Sequence, residues 1–596
     1  MDKPEPSASD TEGFKKTKRA RSIGQDRGNL DLSQIGFIAT KSAYEFFSTS
    51  SLHSKRFRFL NCFKPKVSTF TKDDLQDSVL RLHKYCLTHL LDSYRVHLNR
   101  LKGVYLLNEV VRKVNLGDLK VSQVVRIIWC GISIVHHFHI RLKVGSGLSE
   151  WTRRRQAHNA NTCFEHLMTL LLPDMYSVVI HSMVTFFEEA RLWGTELLCT
   201  QLLEVVISHS HEQSKAMNVL LDIVEQSNPI VAKKILRVIY FLLEKDYWSV
   251  MDLGLVSRFL DMYKESIIPD EQNQDYTFIS KGLELCLRAL FCKIKKDFLY
   301  HAIDVMLSWC LTYNFPNEIL LDFGNVIEFA SVTYKANLLS DYFSANTVNH
   351  IFVLIQSDNV LKSLLGTRIF QHLINRHGNK TIFDVPKIFF QNGHFNINTG
   401  IYDTQDKEFL KKYRELIHNS LLISVQNHGL RSRINIESLY CVVALLVVEI
   451  PCGYTAAAMA CLMMAIQELT ISASGVELEC TNRIHAIVMS VMSLICWIHN
   501  AEIFYDYLNT ILHRRAELAP HLNPPLQVLY QYARNHVLWN KPDLFFEDWE
   551  VRYGLWKCFR SMRGADSNMG IVVEKDGKLR LEVTFAGTLR KGPGSF

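Results

Sequence analysis

Residues 212–263 read EQSKAMNVLLDIVEQSNPIVAKKILRVIYFLLEKDYWSVMDLGLVSRFLDMY, and their pattern decides the fold class. Ser227 and Asn228 offer a capping side chain, and Pro229 suits a first helical turn, where its missing N–H leaves no bond unmade. Beyond it Val231, Ile235, Val238, Ile239 and Leu242 recur at helical spacing as one apolar stripe. A helix through Ala216 to Val224 precedes this one and another from Val250 to Met262 follows, with short connections between. Three such helices in roughly forty to fifty residues cannot close a core as a pair, so each pair has to stack on its neighbours.

The same texture runs outward from about Leu32 to about Met562. Thr71, followed by Asp73 and Asp74, predicts an N-terminal cap for a helix whose Leu75, Val79, Leu82, Cys86 and Leu90 share a face. Phe315-Pro316-Asn317, Pro451, Pro520 and Pro524 punctuate further helices, and the pattern predicts about twenty in all. The apolar run Cys441–Ile466 is long enough to cross a bilayer, but Pro451 and Gly453 split it and Glu449 sits just before the break without an evident partner. It reads as a core helix, a turn and a second helix.

Grouped helices of this kind resemble the armadillo or HEAT type of repeat. The resemblance implies an all-α, irregular α-solenoid whose surface binds other proteins. Two stretches depart from it. His377–Gln405, with Gly378, Gly393 and Gly400, reads as a long loop. Ile571–Glu574 and Lys578–Phe585 around Lys575-Asp576-Gly577 read as a β-hairpin. The expected organisation is a disordered basic tail (1–30), an N-terminal helical lobe (31–376), the loop (377–405), a C-terminal helical lobe (406–562) and a hairpin with tail (563–596).

Composition narrows the function. The 596 residues are 48% hydrophobic with a formal charge of +7, too slight an excess for the whole body to act as a polycation, so any nucleic-acid role has to be local. The fourteen cysteines form no CxxC pair, and most, such as Cys86, Cys130, Cys199, Cys286, Cys310 and Cys496, lie in apolar stretches. They read as core residues of a reduced compartment. The polar first thirty residues lack an apolar signal core, which points to cytosol or nucleus rather than secretion. Gly145-Ser146-Gly147 lacks the lysine of a phosphate loop, and no GxSxG, HExxH or kinase-like set occurs, so the expectation is a non-enzyme without cofactor. His136, His137 and His139, with His209, His211 and Glu212, are the nearest approach to a metal group. They read instead as histidines near helix ends, and no metal is expected.

Three basic motifs remain. Lys15, Lys16, Lys18, Arg19 and Arg21 resemble a monopartite nuclear-import signal. Lys55, Arg56, Phe57, Arg58 and Phe59, leading to Cys62, interleave cations with rings in a way that suits a phosphate backbone or a lipid headgroup layer, with Cys62 as an acylation site; a capping loop is the plain alternative. Trp151 with Arg153, Arg154 and Arg155 gives a helix start with a cationic face, either simply solvated or a site for an acidic partner. The resulting expectation is a scaffold or adaptor for protein partners in the nucleus, with chromatin-linked work as its extension. The alternatives are a peripheral membrane adaptor docking through 55–66 and a direct nucleic-acid binder through the basic patches.

Overall fold

The computed structural model describes residues 72–88, 92–114, 119–144, 149–248, 251–268, 277–335, 338–473, 477–526, 541–561, 568–573 and 579–584. Twenty α-helices occur among them. In chain order they are α1 (Lys72–Cys86), α2 (Ser93–Lys113), α3 (Val121–Val144), α4 (Glu150–Glu189), α5 (Glu196–His209), α6 (Gln213–Gln226), α7 (Pro229–Leu243), α8 (Leu253–Ile267), α9 (Thr277–Phe291) and α10 (Lys296–Thr312). There follow α11 (Asn317–Thr333), the single turn α12 (Leu339–Tyr342), α13 (Ala345–Ile355), α14 (Val360–Ile374), α15 (Thr404–Ser424), α16 (Arg433–Glu449), α17 (Gly453–Ser472), α18 (Leu478–His499), α19 (Glu502–Leu518) and α20 (Asp548–Ser561).

The capping chemistry read in the sequence is in place at α7, where Asn228 Oδ1 accepts the Val231 N–H at 3.1 Å and Pro229 opens the first turn. Asp252 Oδ1 does the same for Leu255 at the start of α8, at 2.7 Å. Leu82 and Ile235 are fully buried, as are their stripes. Thr71 and Leu90 lie outside the described residues, as do the 1–30 tail and Gly145–Gly147. The forty-residue α4 bends at Met175, two residues after Pro173, where the backbone leaves the helical region.

The helices stack in two rows. α3, α5, α7, α9, α11, α14, α16 and α18 each pack on the next in one row, while α4, α6, α8, α10, α13, α15, α17 and α20 do so in the other. The rows pack on each other through pairs such as α3 with α4, α8 with α9, α13 with α14 and α17 with α18. One continuous apolar core runs from Leu75 to Phe559. This is the stacked-pair solenoid, and residues 70–596 form one compact unit. α13 and α14 approach closely because Gly366 has no side chain: a Cβ there would meet Leu354 Cβ at 2.8 Å and the Ile355 backbone nitrogen at 3.0 Å.

The apolar run 441–466 does divide at Pro451, with α16 ending at Glu449 and α17 beginning at Gly453. Among the described residues four helices are long and apolar enough to cross a membrane: Val121–Lys143, Glu150–Glu189, Gly453–Ser472 and Leu478–His499. In this structure each belongs to one of the two rows, and the apolar window of α18 is 83% buried by its neighbours. Two strands, β1 (Asn568–Val573) and β2 (Leu579–Thr584), pair antiparallel with Ile571 opposite Leu581; the Lys575-Asp576-Gly577 stretch between them lies outside the described residues. The thirteen described cysteines are free thiols, most of them buried; burial pushes Cys199 and Cys310 up to about 12.

Candidate interaction surfaces

The segment after α14 contains the most developed polar structure in the molecule. Glu449, which the sequence left without a partner, is fully buried at the end of α16. Its carboxylate accepts the His377 backbone N–H at 3.1 Å and the His377 imidazole Nδ1–H at 2.6 Å. The Arg376 guanidinium donates to Asp406 Oδ2 at 2.6 Å and to the Glu449 carbonyl at 2.8 Å, with its Nε 3.5 Å from Glu449 Oε2. Asp406 in turn accepts the Leu339 N–H at 2.7 Å. Two buried carboxylates and one nearly buried guanidinium thus satisfy each other, which is the condition under which buried charge is tolerated.

This clasp holds one end of the 377–405 segment. Asn379 and Asn398 exchange two hydrogen bonds, at 2.8 and 2.9 Å, and the Gly400 N–H donates to the Val448 carbonyl at 2.9 Å. A Cβ at Gly400 would stand 2.2 Å from the Glu449 carbonyl oxygen, so only glycine allows that approach. Further along, Lys387 exchanges bonds with the Ser490 hydroxyl, Phe389 N–H donates to Ser493 Oγ at 3.1 Å, and Tyr505 donates to the Phe389 carbonyl at 2.9 Å. Phe389 is buried against Phe395, whose ring meets Trp497 edge-on at 5.5 Å. The stretch read as a long loop has no helix or strand between residues 384 and 403 and lies as a strap bonded to α16, α18 and α19.

Of the basic site residues, Lys15, Lys16, Lys18, Arg19, Arg21, Lys55, Arg56, Phe57, Arg58 and Phe59 lie outside the described residues. The arginines of α4 do not act as one patch. Arg153 turns inward to the Arg141 and Leu142 carbonyls at the end of α3, both at 3.4 Å; Arg154 pairs with Glu150; Arg155 lies 5.3 Å over the Trp151 ring, which is 67% exposed. Nearby in sequence, α2 presents Tyr94, Leu98 and Tyr105 to solvent.

Of the histidines read as a metal group, those on α3 are shifted down by burial. Burial first, then Arg100, pushes His137 down to about 3, and burial with Lys143 pushes His139 to about 4. His137 Nε2 faces His97 Nδ1 at 3.3 Å. At the end of α5, His209 bonds to the Val205 carbonyl and Glu212 pairs with Lys215. Among the described residues no three His, Cys, Asp or Glu side chains converge as a metal site.

A concavity of about 240 Å³ opens between α14, residues 380–384 and α16. Arg368 pairs with Glu328 and Glu437 with Arg433 and Arg483; the Lys380 amine, pushed down by burial and by Arg368, donates to His372 Nε2 at 2.9 Å, and burial pushes the Asp384 carboxyl up. Ser438 and Cys441 also line it, and burial pushes the Cys441 thiol up to about 12, where it is a poor nucleophile.

The last helix carries a surface that the sequence reading passed over. Trp549 and Tyr553 on α20 are 55% and 39% exposed; Lys557 lies over Tyr553 and Trp556 at 5.5 and 5.6 Å, and Arg560 over Trp556 at 4.8 Å. The signal was the four-three-four spacing of Trp549, Tyr553, Trp556 and Arg560.

Residues 317–548 match the family model described as "EFR3, armadillo repeat". No curated protein matches the chain. Among solved structures, the crystal structure of an engineered protein aligns at 10% identity over 81% of this chain and 98% of its own, with a TM-score of 0.22. The family match covers α11 to the start of α20, and the two-row packing continues the same architecture over α3–α20, so the fold is of the armadillo/HEAT helical-repeat type.

Proposed function

We propose that the chain is a non-enzymatic adaptor that holds a protein partner on its solenoid surface. The observation that carries this reading is the two-row stack of helices with its own core and matched internal charges. That is the architecture of a scaffold-type fold, which offers extended surface in place of a catalytic pocket. Residues 1–71 hold thirteen basic and seven acidic residues and thus most of the +7 excess, so the cellular address of the adaptor is written at this end. Lys15–Arg21 supports a nuclear address, with chromatin-linked partners.

A specific observation favours a second address, an anionic membrane surface. Exposed Trp151 stacked with Arg155, and exposed Tyr94 and Tyr105 on α2, follow the basic-aromatic segment 55–66 in the chain and match its character. A fluorescent fusion of the full chain separates the two. Loss of nuclear signal on replacing Lys15, Lys16, Lys18 and Arg19 by alanine supports the first. Cortical signal that survives this change and is lost when Lys55, Arg56 and Arg58 are replaced supports the second. Proximity labelling from the same fusion tests the adaptor reading itself, which fails if no protein is enriched over a diffuse control. Direct nucleic-acid binding through Lys55–Arg58 with Arg153–Arg155 predicts affinity falling steeply with salt, and salt-independent or absent binding removes it.

A further inference from the structure

α20 closes the second row of helices and has two unlike faces. Val551, Leu555, Cys558 and Phe559 are buried, and Gly554 lets the helix approach α19, since a Cβ there would meet Phe504 at 2.9 Å. The opposite face holds Trp549, Tyr553, Trp556 and Arg560 at spacings of four, three and four, the register of a coiled-coil seam over two heptads. Among the described residues nothing covers Trp549, which remains more than half exposed.

The flanking charges choose the partner. In this register Glu550 and Lys557 occupy the same flank two turns apart, and Arg552 occupies the other. In a parallel pair Arg552 of one helix, itself paired with Asp548 at 2.7 Å, would face Lys557 of the other, which gains no opposite charge. In an antiparallel pair related by a two-fold axis near Tyr553, Glu550 of each copy meets Lys557 of its mate, giving two opposite-charge pairs around an aromatic centre. Among the described residues no carboxylate lies within ion-pair distance of Lys557 or Arg560, so Lys557 is available for that role. The face is therefore complementary to itself.

We propose that the outer face of α20 is a homodimerisation seam, pairing antiparallel with the same helix of a second copy of this chain. A helix of fourteen residues spans about 21 Å, so the contact falls below the roughly 800 Å² per partner of a permanent dimer and the association is weak and transient.

Sedimentation equilibrium of the full chain from about 5 to 500 µM tests the proposal, in the range expected of contacts this small. The expected mass rises from 68.9 kDa toward twice that value across the range. Glu550→Lys and Lys557→Glu each raise the concentration at half-association at least about tenfold, and the double variant returns it to within about threefold of the original, because the pairs re-form with reversed sign. Circular dichroism confirms that all three variants keep their helix content. A mass of 68.9 kDa throughout, association that neither single variant weakens, or a double variant that fails to recover overturns the proposal.

Discussion

Replacing Glu449 by alanine removes the centre of the strap clasp. Glu449 is fully buried and holds His377 through both its backbone N–H and its imidazole, while Arg376 bonds to its carbonyl. Removing one member of a buried, hydrogen-bonded charge group costs about 3–5 kcal/mol. Asp406 still faces Arg376 at 2.6 Å, so the guanidinium is not left bare and the loss belongs at the lower end of that range. About 3 kcal/mol corresponds to a little over a hundredfold in an opening equilibrium. A solenoid of this length need not unfold in one step, so a single melting temperature is a poor reporter. Hydrogen exchange at Asn398 and Gly400 is the direct assay, because their amides bond to Asn379 Oδ1 and the Val448 carbonyl within the strap. Exchange there should accelerate about a hundredfold in Glu449→Ala, and less in Glu449→Gln, which keeps an acceptor for the His377 N–H. Amides of α5–α8 should be unchanged. Strap protection within about fivefold of wild type would show that the clasp does not hold the strap, and the reasoning would fail.

Gly400→Ala should release the same segment with Glu449 intact, since its Cβ would collide with backbone rather than a movable side chain; equal protection in this variant would refute the close-approach argument. Arg515, fully buried and pushed down to about 9 by burial, donates to the Leu544 carbonyl at 2.6 Å, Leu522 at 3.2 Å and His485 at 3.3 Å. Arg515→Ala orphans these carbonyls and should cost about 3 kcal/mol or more locally, read as faster exchange at Leu522 and Leu544; Arg515→Lys should recover only part, because a point charge cannot reproduce the planar fork. Acid should weaken the fold through the depressed histidines. His137 (about 3), His139 (about 4) and His499 (about 4) stay neutral when folded but take a proton near pH 6.5 when unfolded. Their contribution is therefore complete above about pH 6.5 and is lost as pH falls toward 4. The opening free energy of α3, read from hydrogen exchange corrected for its intrinsic pH dependence, should drop between pH 7 and 4.5, and the slope should flatten in His137→Gln; an unchanged slope would rule out His137 as a source.

The sequence by itself determined the helices and their type of assembly. The stripes around Leu82 and Ile235, the Asn228-Pro229 cap and the break at Pro451 depend on local periodicity and local backbone chemistry, which a single chain segment carries. What only the tertiary structure decided are the polar contacts between distant positions. Glu449 looked stranded because its partners, Arg376 and His377, lie 73 and 72 residues away, and the anchoring of the long loop was hidden because its hydrogen bonds go to Ser490, Ser493 and Tyr505 rather than to its neighbours in sequence. The same reason separates Arg153, Arg154 and Arg155, adjacent in sequence but turned by the helix toward a carbonyl pair, a carboxylate and an indole. Apolar burial is spread along a periodic stripe and survives small changes in how helices meet. A buried charge depends on a few directed contacts within about 3 Å, and those exist only once the rows have stacked.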